Sequence, residues 1–379
     1  MNNRRKFLGR LSLAITGALA APHIALTKSD KKETTKMETK KSPIKSVKPM
    51  GFQWETLDPF LFCVHHEDKF PKGNDVMGPQ EEHLKGRHLG DDFIIKDGFR
   101  MYHGKTVPGF PGHPHRGFET ITVVREGIVD HADSLGAAGR YGNGDVQWMT
   151  AGKGVQHSEM FPLIHKEKDN PMELFQIWLN LPAKNKMVEP HFKMLWSDSI
   201  PKLVHKDENN KVATVEVIAG KLADKIAPTA PPNSWANTEA NRVAVWNITL
   251  EANGKWILPA AVAGINRMLY FYIGDSIKIG DKTISKYHAV HVEPDMNLTI
   301  ENGNWESRIL VLQGKPIGES VIQYGPFVMN TKEEINQAFE DYHKTQFGGW
   351  PWPSYAQVHD RKKGRFALHA DGKLEEKIG

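Results

Sequence analysis

Cysteine is almost absent from this chain of 379 residues, which contains Cys63 and no other. A single thiol excludes an intrachain disulfide framework, and it also excludes a zinc site built from several thiolates. Any metal that the chain binds must therefore be held by imidazole and carboxylate groups. Cys63 itself stands between Phe62 and Val64, and we expect it to be a buried apolar residue rather than a nucleophile.

An excess of charge is also absent once the N-terminus is set aside. The formal net charge is +4, and all of that excess comes from basic residues within the first 20 positions, which contain no acidic residue. The rest of the chain is balanced in charge. This balance argues against nucleic acid as a partner.

Residues 1–20 resemble a twin-arginine export signal. Arg4 and Arg5 precede an apolar run that ends in Ala18-Leu19-Ala20, a small-residue cleavage pattern. The apolar run is broken by Pro22, and a membrane span needs roughly 20 apolar residues. The resemblance implies a signal peptide and a periplasmic or otherwise exported protein, with no stable membrane span after cleavage. An uncleaved segment that tethers the protein to the membrane is the alternative.

Residues 21–49 are rich in lysine and poor in large apolar side chains, so we predict a flexible linker there. Two β-rich regions follow, at residues 50–200 and 201–330, in which short apolar runs alternate with glycine, proline and aspartate turns. Thr331 and Glu334 form a capping box that predicts a helix over 331–347. We expect residues 348–379 to be an extended tail packed on the surface. The fold class is therefore all-β with a short C-terminal helix.

Two pairs of side chains with metal-binding chemistry occur at matching spacing. His113 and His115 are two residues apart, as are His157 and Glu159, and residues at that spacing point to the same face of a strand. Three imidazoles and one carboxylate suit Fe(II), Ni, Cu, Mn or Zn, with Fe(II) favoured where dioxygen reacts. Glu119 is a second candidate carboxylate, either as a further ligand or as a partner of the ligands. Gly117 could introduce a bulge that turns Glu119 away from the histidines.

The segment 113–160, which begins HPHRGFET and ends GVQHSEM, resembles the pirin family, as do MVEPHF (187–192) and GPFVMNTKEEI (325–335). The resemblance covers roughly residues 50–347. It implies a bicupin of two antiparallel jelly-roll barrels, with one metal in the N-terminal barrel, residues 50–200, and none in the C-terminal barrel, residues 201–330. It places pirin's iron ligands at His113, His115, His157 and Glu159, and it implies a monomer. His288 and His291 are three apart, so we expect them on opposite faces of a strand.

Some pirins act as quercetin 2,3-dioxygenases, and the resemblance therefore implies an enzyme that joins dioxygen to a small flavonol or related phenol. Glu159 would be the catalytic base that takes the substrate's hydroxyl proton. Gln147, Trp148 and Met149 could shape the pocket, although Trp148 and Met149 also suit a plain core. The alternative function is a metal-dependent redox sensor or interaction protein without turnover.

Overall fold

The computed structural model describes residues 42–377. The predicted signal peptide and most of the predicted linker lie outside these residues. Within them the strands are β1 Ile44–Pro49, β2 Gln53–Trp54, β3 Phe60–Phe70, β4 Gly109–His115, β5 Phe118–Glu126, β6 Ile128–Asp133, β7 Ala138–Gly142, β8 Val146–Thr150, β9 Val155–Met160, β10 Asn170–Asn180, β11 His191–Leu195, β12 Lys202–Lys206, β13 Val212–Ala219, β14 Lys221–Leu222, β15 Lys225–Ile226, β16 Ala244–Leu250, β17 Lys255–Leu258, β18 Asn266–Ile273, β19 Ser276–Ile279, β20 Lys282–Ser285, β21 His288–Val292, β22 Leu298–Asn302, β23 Ser307–Gly314, β24 Ile322–Tyr324, β25 Phe327–Met329, β26 Arg365–Leu368 and β27 Leu374–Lys377. The helices are α1 Glu81–Leu84 and α2 Lys332–Thr345, with short 3-10 turns at Ala183–Asn185, Trp235–Asn237, Glu239–Asn241 and Gln346–Gly348.

The N-terminal barrel consists of two six-stranded antiparallel sheets that face each other. One sheet has the order β11-β8-β5-β10-β3-β2, and the other has the order β27-β26-β7-β6-β9-β4. Apolar side chains from both sheets, among them Val124, Met149 and Val155, fill much of the space between them. The predicted all-β bicupin is confirmed, and this barrel carries every candidate ligand.

The C-terminal barrel pairs a seven-stranded sheet, β1-β21-β18-β23-β16-β13-β12, with a four-stranded sheet, β17-β22-β19-β20. Its core lies between these sheets and is built from β-branched and aromatic residues such as Ile248, Phe271 and Ile300. Such side chains pack well on a pleated surface, which explains why this region forms strands.

The two barrels meet sheet to sheet, and β10 shows why. Phe175, Ile177 and Leu179 form the more apolar face of this strand, and they pack into a core that also contains Tyr270 and Leu310 of the C-terminal barrel. The alternate residues, including Gln176, project into the N-terminal barrel instead, because successive side chains on a strand point to opposite faces.

Two boundaries predicted from the sequence are wrong. The sequence predicts a flexible linker over residues 21–49, but residues 44–49 form β1, which pairs antiparallel with β21. Residues 348–379 were assigned to a tail on the surface, but β26 pairs with β7 and β27 pairs with β26. In each case a short segment gains backbone hydrogen bonds at the edge of an existing sheet. Such pairing depends on residues far away in the sequence, so a local reading of hydrophobicity does not detect it.

Helix α2 begins as predicted. Thr331 accepts a hydrogen bond from the Glu334 backbone N–H, and the Glu334 side chain accepts one from Thr331, so the capping box is present. Ile335 and Ala338 pack with Phe327 and Phe347. Across the described range, 42–377, no helix combines the length and apolarity that a membrane crossing requires.

Candidate metal centre

The two histidine-bearing segments become neighbouring strands. β4 pairs antiparallel with β9, and His113 lies directly opposite His157. His115 follows on the same face of β4 as His113. The three rings are 4.5 to 4.9 Å apart between centroids, and one ring nitrogen from each lies within 4.8 Å of the others. The predicted convergence of the three histidines is therefore confirmed, and they form a group that could hold a metal ion.

Two of the three rings contact a backbone carbonyl oxygen through Nδ1. Nδ1 of His113 lies 3.0 Å from the Pro111 carbonyl oxygen, so it donates its proton there. Nδ1 of His115 lies 3.4 Å from the carbonyl oxygen of Pro326. His157 is fully buried, and neither of its ring nitrogens has a hydrogen-bond partner within the described part of the chain. An imidazole buried in this way is costly unless something binds it, so the arrangement fits a metal.

Burial also keeps these imidazoles neutral, which is the form that binds a metal. Desolvation lowers the pKa of His113 from 6.5 to about 4. Desolvation, reinforced by the neighbouring histidines, lowers the pKa of His115 and of His157 well below the usual value.

Glu159 lies beside this triad and is held by hydrogen bonds. One carboxylate oxygen is 3.9 Å from Nε2 of His157. The carboxylate accepts a bond from the Thr122 hydroxyl at 2.8 Å and one from the Gln176 amide at 3.1 Å. Burial raises its pKa above the ordinary value. The structure thus brings the predicted carboxylate to the edge of the group, although its oxygens are not among the atoms that converge within 4.8 Å.

Glu119, the rival carboxylate, is placed elsewhere. β4 ends at His115, Gly117 adopts a left-handed backbone with φ of 85°, and Glu119 then lies on β5 in the opposite sheet. Its oxygens accept hydrogen bonds from Thr150 at 2.6 Å and from Ser234 at 2.5 Å. Burial raises its pKa to about 7. Glu119 therefore links the barrels rather than facing the histidines.

The three residues that could shape the pocket do not share one face of β8, because successive side chains on a strand point to opposite faces. Trp148 packs in the core between the barrels, whereas Met149 packs inside the N-terminal barrel. Gln147 projects to the same face as Met149, because the two are two residues apart on β8. His131 was missed altogether. It lies on β6 opposite Glu159, with its ring centroid 5.6 Å from that of His157, and its alternation with Asp133 was the signal that could have identified it.

Models of known families match both halves of the chain. The family described as Pirin matches residues 77–179, and the Pirin C-terminal cupin domain matches residues 245–348. A Pseudomonas aeruginosa protein that carries the provisional name quercetin 2,3-dioxygenase is 38% identical over an alignment of 272 positions, and the match covers 70% of this chain and 88% of the relative. The chain belongs to the pirin family. Human pirin is 34% identical over 267 residues, which are 68% of this chain and 83% of that protein.

A solved structure agrees with this membership. The crystal structure of quercetin 2,3-dioxygenase from Acinetobacter baumannii superposes with a TM-score of 0.63 at 26% identity, covering 81% of this chain and 98% of that one. The pirin-family models end at residue 348, so the C-terminal segment that completes a sheet of the N-terminal barrel lies beyond both matched ranges.

Proposed function

We propose that this pirin-family protein is a mononuclear metal dioxygenase that acts on a flavonol such as quercetin or on a related small phenol. His113, His115 and His157, joined by Glu159, would hold one divalent metal, Fe(II) in the first place and Ni, Cu, Mn or Zn as substitutes. The observation that carries the proposal is the buried group of three neutral imidazoles, of which His157 has no hydrogen-bond partner in the described range. The names of the Pseudomonas and Acinetobacter relatives supply the substrate class.

When bound, the metal supplies a Lewis acid that lowers the pKa of a substrate hydroxyl and a redox partner for dioxygen. The protein's own contribution to proton transfer is Glu159. Burial raises the pKa of its carboxyl group, which moves it towards the range in which a carboxylate both accepts and returns a proton near neutral pH. Thr122 and Gln176 hold the two carboxylate oxygens in place, so the proton acceptor is oriented before substrate arrives.

Aromatic side chains border the triad on the side of His115. Trp178 packs 5.4 Å from the His115 ring, and it contacts Phe118 at 4.2 Å and Phe62 at 4.9 Å between centroids. An apolar wall of this kind suits a planar aromatic substrate, because flat rings bury large area against each other. It also strengthens the electrostatic interactions at the centre by lowering the local dielectric constant.

Oxygen uptake tests the proposed activity. The protein is loaded with Fe(II) without air and then given oxygen with a panel of flavonols and catechols. We expect uptake that depends on at least one phenol and is lost in the His157→Ala variant, because that variant lacks one of the three imidazoles. Uptake no greater than that of His157→Ala across the panel would eliminate the dioxygenase and leave the redox sensor or interaction protein.

We also propose that the protein is exported to the periplasm. The proposal is supported by the paired arginines at positions 4 and 5 and the apolar run after them. Fractionation of cells that express the full chain tests it. Replacing both arginines with lysine should retain the protein in the cytoplasm, and an unchanged distribution would contradict the proposal.

A further inference from the structure

A layer of polar side chains crosses the inside of the N-terminal barrel next to the triad. On one sheet, Gln176 lies opposite Thr122, and Thr122 lies opposite Gln147, so the three form a row across β10, β5 and β8. On the other sheet, Glu159 lies opposite His131. Thr122 and Gln176 both contact Glu159, which shows that this row faces the barrel interior.

Two members of this layer have hydrogen-bonding capacity that the described part of the protein leaves unused. Gln147 is 1% exposed, and neither its amide oxygen nor its amide nitrogen has a partner in residues 42–377. His131 is fully buried, and its Nδ1 has none there either. Unsatisfied buried polar atoms are rare in folded proteins, because each costs about 1–3 kcal/mol. Three such atoms in one layer therefore indicate a place where something else binds.

Asp133 determines which atom of His131 carries the proton. Nε2 of His131 is 3.3 Å from one Asp133 oxygen, and a carboxylate can only accept, so Nε2 donates. The other Asp133 oxygen accepts the backbone N–H groups of Leu135 and Ala137, at 2.9 and 3.0 Å. With that proton on Nε2, Nδ1 carries a lone pair that needs a donor.

A cavity approaches this layer from the surface. It lies between β11 and the hairpin of β26 and β27, and its wall includes Asp133, Met149, Phe192 and Met194. Asp133 is the partner of His131, and Met194 lies opposite Gln147 in the strand register. His131 and Gln147 do not themselves line this cavity, but a neighbour of each does, so the cavity lies one side chain away from the polar layer.

We propose that His131 and Gln147 form a recognition site for a hydroxyl-bearing aromatic ligand beside the triad. Nδ1 of His131 accepts a hydrogen bond from a hydroxyl group of the ligand. The Gln147 amide donates a hydrogen bond to a neighbouring oxygen substituent and accepts one from it. This inference rests on the proposed function for the class of ligand, and it adds the two residues that select oxygen-substituted rings. Ordered water is the competing occupant.

Binding of 4-nitrocatechol to the zinc-loaded protein tests the site without turnover, because zinc does not change its oxidation state. We expect two substitutions to weaken binding about tenfold, as loss of one net hydrogen bond would. Gln147→Leu removes the amide. Asp133→Asn keeps the side-chain shape, but its amide donates to Nε2 of His131 and so forces the proton onto Nδ1. Nitrogen NMR of labelled histidine should show a bare Nδ1 in the wild type and a protonated Nδ1 in Asp133→Asn.

Thermal unfolding separates recognition from a structural role. Gln147→Leu should leave the midpoint unchanged or raise it, because it removes two unsatisfied polar atoms. The matched change Gln176→Leu should lower the midpoint, because it breaks the hydrogen bond that the Gln176 amide donates to Glu159. The inference would be overturned if the wild-type protein did not bind 4-nitrocatechol. It would also be overturned if both variants bound it as tightly as the wild type, a result that would assign the polar layer to ordered water. Since no oxygen is consumed, absence of dioxygenase activity would not affect this outcome.

Discussion

At the scale of single residues, the centre depends on imidazoles held in their neutral form. The pKa of His113 is lowered from 6.5 to about 4 because the ring is desolvated. In the unfolded chain the same ring takes a proton near pH 6.5. Between these two values the unfolded state binds more protons than the folded state, so acid favours unfolding.

Metal-free protein should therefore lose stability as the pH falls from about 6.5 to about 4. Urea unfolding at a series of pH values measures this loss. His113→Asn should remove roughly 3 kcal/mol of the pH-dependent loss, which is the shift of the His113 pKa expressed as free energy. The same substitution at exposed His205 is the matched control. An identical pH dependence in wild type and His113→Asn would contradict the burial argument.

At the scale of elements, Gly117 determines how the chain passes from β4 to β5. Its φ of 85° is left-handed, and a Cβ at this position would overlap the Val328 carbonyl oxygen. The chain can therefore leave β4 after His115 and enter the opposite sheet as β5. This turn separates Glu119 from the histidines.

Gly117→Ala should destabilise the protein by roughly 3 kcal/mol, through backbone strain together with the overlap. Gly136→Ala is a suitable control, because Gly136 also has positive φ but its Cβ would meet no atom within 4 Å. The control should lose only about 1 kcal/mol. Chemical unfolding of both variants gives the comparison, and equal losses would show that the contact with Val328 is unimportant.

The same elements show how far prediction from sequence could go. The two-residue spacing of His113 and His115, repeated by His157 and Glu159, was sufficient to place each pair on one face of a strand, because alternation along a strand is a local property. The meeting of the two strands is not local, and the resemblance to pirins supplied it. The sequence left the position of Glu119 open, because Gly117 could turn it away from the histidines. Its actual position depends on the backbone angle at Gly117 and on the hydroxyl of Ser234, which is far away in the sequence. His131 was missed for a similar reason: only the register of β6 with β9 brings it near Glu159.

At the scale of the whole molecule, the C-terminal segment holds the N-terminal barrel. Trp352 donates a hydrogen bond to the Asp133 carbonyl oxygen at 2.7 Å, and the His359 backbone N–H donates to Asp130 at 2.8 Å. Arg140 is buried, pairs with Asp130, and donates to the carbonyl oxygens of His359, Asp360 and Lys363. Removing the segment would leave this ion pair without its other partners.

A chain truncated after Gly349 should unfold at a midpoint lower by several degrees, because a buried charge network loses its acceptors. Truncation after Lys373 removes only the edge strand β27 among the described elements, and it should cost much less. Calorimetry of the two truncated forms and the full chain measures both effects. Equal midpoints for the full chain and the chain that ends at Gly349 would show that the segment contributes nothing to the stability of the barrel.

We propose that three histidines of one barrel hold a single metal ion. The most direct measurement is the metal content of protein titrated anaerobically with Fe(II) and then freed of unbound ion. We predict one equivalent per chain for the wild type and almost none for the His113→Ala/His115→Ala double variant. A wild type that retains no stoichiometric metal, or a double variant that retains as much as wild type, would contradict the account.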